Sequence, residues 1–167
     1  MLLYIDVISG DEMLSDAYDL KEVDGIVYEV DTALIIVKEG DVDIGANPSA
    51  EEAEEALEQG AEQKNNLVHS MRLQATTFDK KSYLAYLKGY MKAIKSHLQK
   101  TNPERVEGFE KGAQEFAKKI VANFKDFEFY VGEGMNPEGM VALLNYREDG
   151  VTPYFIFWKD GLKETKI

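Results

Sequence analysis

Two histidines, His69 and His97, make up the whole imidazole supply of a 167-residue chain that contains no cysteine. The missing thiols exclude disulfides, thiolate metal sites and cysteine nucleophiles together, and they suit a reducing compartment. No His-x-x-x-His pair is present, and the G-x-S-x-G, G-x-x-x-x-G-K-[ST] and G-x-G-x-x-G motifs are all absent. His97 falls between Ile94 and Leu98 of a Lys-rich helical stretch, the place of a partly packed surface histidine. A triad or metal-dependent enzyme is poorly provided for, so no catalytic residue and no cofactor is expected.

Carboxylates are abundant, and one run has a suggestive spacing. Asp41-Val42-Asp43-Ile44-Gly45-Ala46-Asn47, with Glu52 in the twelfth place, approaches the calcium loop of an EF-hand. It departs where that loop is strictest: Gly45 brings no side-chain oxygen to the fifth place, and Ala46 occupies the sixth, which needs glycine. Asp41, Asp43, Glu51, Glu52 and Glu55 remain candidates for weak calcium binding only.

Lysines offer a different chemistry. Tyr83, Leu87, Tyr90, Ile94 and Leu98 recur at helical spacing, while Lys81, Lys88, Lys92 and Lys95 fall on the other side. Lys118 and Lys119 extend the basic character into the next helical segment. Such a stripe on a rigid support can dock an acidic partner, such as the glutamate-rich tails of tubulin or an acidic helix groove, by salt-sensitive attraction. The same stripe also fits an ordinary solvated face. No aromatic residues alternate with the lysines on an exposed strand, so direct nucleic-acid binding is not expected.

The charge is blocked along the chain. A formal net charge of −12 conceals a balance of −15 over residues 1–66 and +7 over residues 80–125. Blocks of this kind suggest interaction surfaces or an internal pairing of one block with the other. With 44% hydrophobic residues the composition is globular. No basic leader opens the sequence and no run of about 18 apolar residues occurs, so neither a signal peptide nor a membrane span is expected. The expected location is cytosolic.

The elements that would position these groups follow from periodicity. Residues 1–7 predict a strand ending at Ser9-Gly10-Asp11, and Met13 to Tyr18 is too short to assign. Asp24-Gly25 predicts a hairpin turn, with further strands over Ile26 to Val30 and Ala33 to Val37. The segment 39–66 holds almost no large apolar side chain and predicts a mobile acidic loop, with at most transient helix over 51–63. Leu67 to Thr76 reads as a returning strand. Residues 79–126 predict a basic helical hairpin: Asp79 caps the first helix and Asn102 caps the second, with Pro103 at its first position. Val106, Phe109, Ala113, Phe116, Ile120 and Phe124 would line the second helix's inner face. From Phe127 the period becomes two, predicting strands over 127–131, 140–146 and 152–158. Strands around a helical insertion give a single α+β domain over 1–167.

Several segments resemble one known family, the translationally controlled tumour proteins. Ile44-Gly45-Ala46-Asn47-Pro48-Ser49-Ala50-Glu51-Glu52 has the form of that family's first signature. The likeness continues through Asp11-Glu12-Met13, Asn102-Pro103-Glu104-Arg105-Val106 and Ala122-Asn123-Phe124-Lys125. It is densest from Phe127 onward, in Met135-Asn136-Pro137 and in Tyr146-Arg147-Glu148-Asp149-Gly150-Val151-Thr152-Pro153-Tyr154.

The resemblance implies a twisted antiparallel β tent or sandwich with a projecting two-helix hairpin and a flexible acidic loop. That fold is similar to a zinc-binding chaperone of Rab-type GTPases, whose zinc rests on cysteine pairs, so zinc is not expected here. It implies a non-enzymatic cytoplasmic protein, partly associated with the cytoskeleton, that binds microtubules, translation elongation factors or ribosomes, and calcium. By position Glu12 matches the acidic residue proposed to contact a small GTPase. This implies an alternative role as a guanine-nucleotide exchange factor or a chaperone of the nucleotide-free GTPase. The hairpin lysines match the region assigned to tubulin.

Overall fold

The computed structural model describes residues 2–37 and 62–166. Short strands come first: β1 (Leu2–Asp6), β2 (Glu12–Ser15), β3 (Leu20–Val23), β4 (Val27–Asp31), β5 (Leu34–Val37) and β6 (Glu62–Asn65). A short helix α1 (Asn66–Met71) and strand β7 (Gln74–Thr76) lead to two long helices, α2 (Lys80–Thr101) and α3 (Val106–Ala122). Strands β8 (Glu128–Val131), β9 (Ala142–Tyr146), β10 (Pro153–Trp158) and β11 (Leu162–Lys166) follow.

Among the described residues all pairings are antiparallel, in a six-stranded sheet of order β3-β4-β10-β9-β8-β7, a three-stranded sheet β11-β1-β2 and a ribbon β5-β6. The β3–β4 corner is set by Asp24 (φ 55°) and Gly25 (φ 66°). Two successive left-handed residues are what a type I′ turn requires, and the pair supplies them at little steric cost. The expected α+β plan, with sheets packed like a sandwich around one hydrophobic core, is what the chain adopts.

The helical hairpin closes one side of that core. Asp79 Oδ1 accepts the Ser82 amide N–H at 2.7 Å, capping α2, and this bond holds the Asp79 carboxyl below the usual carboxylate range. Tyr83, Leu87, Tyr90, Ile94 and Leu98 are all buried, as are Phe109, Ala113, Phe116 and Ile120 of α3. Phe116 meets Trp158 edge-on with ring centroids 5.6 Å apart. At the base of the hairpin the Tyr83 ring lies 5.8 Å from Phe124 and 5.2 Å from Phe129.

Its tip is fastened too. Arg105, in the 3₁₀ turn Pro103–Arg105, donates from Nε and Nη2 to the two Asp160 oxygens at 3.0 and 2.9 Å, and also to the Gly25 carbonyl. Because the Asp160 side chain is only 8% exposed, this planar two-bond pairing is what keeps a nearly buried carboxylate compensated.

The buried face of α2 carries three phenols with different fates. Tyr86 donates to the Gly139 carbonyl at 2.6 Å and accepts the Val141 amide at 3.0 Å. The Tyr83 and Tyr90 hydroxyls are buried with no hydrogen-bond partner among the described residues. Burial pushes all three phenols well above their ordinary range, so they remain neutral.

Four local expectations are corrected. Leu67 to Thr76 is not one strand: Asn65 Oδ1 accepts from the amides of Leu67 and Val68 and starts α1, and Arg72 (φ 57°) ends it. His69 is therefore on a helix. Glu62 to Asn65, placed in the acidic loop, pairs with β5 from Leu34 opposite Asn65 to Val37 opposite Glu62. Asn102 makes no side-chain cap; the 3₁₀ turn intervenes and α3 begins at Val106. Strand β11 is an addition to the expected set, because Leu162-Lys163-Glu164-Thr165-Lys166 has no large apolar residue after its first. The expected mobile loop over 39–61 and the transient helix over 51–61 lie outside the described residues, as does the signature at Ile44 to Glu52.

Candidate functional site

Between the outward faces of α2 and α3 runs a groove of about 560 Å³. Its floor is Leu87, Phe109 and Ala113, only 4%, 1% and 3% exposed. Leu84 of α2 is 42% exposed, and together with half-buried Met91 and Ala117 it forms apolar walls. On α3 the groove is lined by small Ala113 and Ala117, and on α2 by the larger Leu84 and Met91.

Charge is confined to the rim. Lys88, Lys92 and Lys95 stand on the α2 side, with Glu110 and Gln114 on the α3 side. Lys95 Nζ reaches Glu110 Oε1 at 2.6 Å, bridging the two helices across the groove. Lys88 and Lys92 have no ion-pair partner among the described residues. They sit one helical turn apart, on a support whose other face is locked into the core.

The remaining sequence candidates are distributed differently. Lys81 is exposed in the first turn of α2, and Lys118 is exposed on α3, neither lining the groove. Lys119 points elsewhere: its Nζ is 3.3 Å from Asp24 Oδ2 and 5.9 Å from the Phe116 ring centroid. Among the described residues this is the one ion pair joining the acidic N-terminal block to the basic hairpin.

Glu12 begins β2, exposed and without an ion-pair partner among the described residues, while Met13, Leu14 and Ser15 behind it are buried. The turn before it is stiff. Asp6 is 2% exposed and accepts from the Ile8 amide, the Ser9 hydroxyl and the Met140 amide at 2.9, 2.7 and 2.7 Å. Asp41, Asp43, Glu51, Glu52 and Glu55 lie outside the described residues. Among the described residues no group of three or more metal-ligating side chains converges, and no helix is long and apolar enough to cross a membrane.

The lysine pattern alone does not reveal the groove's apolar component, although the sequence holds a signal for it. Leu84 and Met91 broaden the apolar stripe of α2 beyond the arc the core can cover.

A family model described as "Translationally controlled tumour protein" matches residues 1–163. The chain belongs to the translationally controlled tumour protein family. A homologue from Mycosarcoma maydis is 71% identical and one from Yarrowia lipolytica 68%, each over the full length of both chains. Among solved structures, the translationally controlled tumour-associated protein p23fyp of Schizosaccharomyces pombe superposes with a TM-score of 0.84 at 68% identity, covering both chains completely. The translationally controlled tumour protein of Caenorhabditis elegans gives 0.74 at 32% identity, covering 100% of this chain and 99% of that one. The shared translationally controlled tumour protein fold thus spans the entire chain, hairpin included.

Proposed function

We propose that the protein is a cytoplasmic, partly cytoskeleton-associated interaction protein without a bond-making centre, whose hairpin docks acidic segments of other macromolecules. Microtubules are the first partner proposed. Translation elongation factors or the ribosome are further partners, and any calcium binding is weak. The observation that carries this reading is the pair Lys88 and Lys92, without an ion-pair partner among the described residues and held in register along an apolar groove. Family membership supports it. Exposed cations on a fixed helix face attract acidic partners and lose that attraction as salt screens them.

Co-sedimentation with microtubules provides the test. Reversing both charges (Lys88→Glu with Lys92→Glu) is expected to reduce pelleting roughly tenfold at low salt, and raising salt toward 0.15 M should weaken the unaltered protein in the same direction. Salt-independent pelleting that both reversals leave unchanged rules out the hairpin as the docking surface.

A second reading concerns Glu12. It presents an exposed carboxylate at the start of β2, a suitable contact for a basic residue of a small GTPase. Glu12→Ala is then expected to abolish accelerated nucleotide release, or capture of the nucleotide-free form, with no change in melting temperature. Release rates identical with and without the protein reject it.

A further inference from the structure

The lysine rim explains attraction to acid but leaves the apolar groove beneath it unused. An extended glutamate-rich tail has nothing to put there. From Leu84 to Lys95 the groove runs about 16 Å at a rise of 1.5 Å per residue, the length of roughly three helical turns. Its floor and walls are aliphatic or aromatic, and it lies between two antiparallel helices, where a third helix packs by the ordinary ridge-and-groove rules. Among the described residues, cations without an ion-pair partner line one side of it, the α2 side. Lys88 and Lys92 are spaced i, i+4, which matches carboxylates one turn apart on a facing helix.

Resting on the docking role proposed above, we propose that the occupant is an acidic amphipathic helix of a partner protein. Such a helix would seat apolar residues at i, i+3 or i+4, and i+7 between Leu84, Met91 and Ala117. Carboxylates on its α2-facing flank would meet Lys88 and Lys92. The opposite flank, facing Gln114 of α3, needs no negative charge. The Lys95–Glu110 bridge closes one end and sets where the bound helix stops. Apolar contact thus supplies most of the affinity, and the lysines supply orientation and the preference for acidic sequences.

Fluorescence anisotropy with the full chain tests this using three labelled synthetic peptides. One carries leucines at i, i+4 and i+7 with flanking glutamates, one has those leucines replaced by glutamine, and one is an extended oligoglutamate. The leucine peptide should bind at least tenfold more tightly than either control. Ala117→Gln, which fills the groove with a good helix former, should weaken it tenfold or more without lowering the melting temperature. Glu110→Gln frees Lys95 and should tighten binding of a peptide extended by one further turn and glutamate.

Equal binding of all three peptides, or indifference to Ala117→Gln, overturns the helix proposal. Lysine-dependent microtubule pelleting would still stand in that case. Pelleting that no longer depends on the lysines, together with retained leucine-peptide binding, would instead reject the microtubule role and keep the helix site. The two failures are therefore distinguishable.

Discussion

Arg105→Met is expected to lower stability by about 3 kcal/mol or more, because removing one partner of a mostly buried ion pair leaves the other uncompensated. Asp160 keeps an 8% exposed carboxylate with its two main donors gone, and the Gly25 carbonyl at the β3–β4 turn loses its donor as well. For a chain of this length that corresponds to a drop of roughly 6–12 °C in melting temperature. Met retains much of the volume and apolar stem, so lost packing contributes little. Adding Asp160→Asn should recover part of the loss, since the stranded charge disappears, and the double-mutant cycle would show strong coupling. A melting temperature within a degree of the unaltered protein would mean that the hairpin tip is held by something other than this pair.

Gly161→Ala is the second substitution with a large expected effect, and it comes with a suppressor. A β-carbon at Gly161 would overlap the Tyr90 hydroxyl oxygen and come within 2.6 Å of Met140 Cε. The methyl end of Met140 can move, whereas Tyr90 is 2% exposed and fixed on α2 by its neighbours. Overpacking of this kind typically costs about 1–3 kcal/mol, and more when backbone must shift. Tyr90→Phe removes the overlapping atom, and that atom has no hydrogen-bond partner to lose among the described residues. Alone, Tyr90→Phe should be neutral or stabilising by up to about 1 kcal/mol, because a buried hydroxyl without a partner is a cost. In the Gly161→Ala background it should restore most of the lost stability, measured by urea or thermal unfolding. A Tyr90→Phe variant clearly less stable than the parent would show that the hydroxyl is satisfied in solution.

What can be read in the sequence follows from which forces are local. The hairpin is legible because five core residues of α2 repeat at 3–4 spacing and each ends up buried. Asp24-Gly25 is legible because left-handed backbone selects few residue types. Helix α1 escapes periodicity since its length is about one and a half turns, and its real signal is the cap at Asn65. Strand β11 is polar throughout after Leu162 and exists because its backbone completes the edge of β1, which no hydropathy pattern records. The groove is half legible. Its lysines appear in the sequence as a stripe, but which apolar residues of α2 and α3 line it together depends on how the two helices are rotated against each other. Glu12 carries no sequence signal of its own apart from the family likeness, since a single acidic residue at a turn is common.

The pairing of β1 with β11, and of β4 with β10, also dictates the order in which the molecule can form. Both sheets take a strand from each side of the helical hairpin, so more than a hundred residues separate partners that must lie side by side. The hairpin needs only short-range contacts and can organise early, whereas closing such long loops is entropically slow. A ribosome would have to deliver β10 before the larger sheet, and β11 before the smaller one, could be completed. Until then the inner faces of α2 and α3 would stand uncovered, a window in which a chaperone has most to protect.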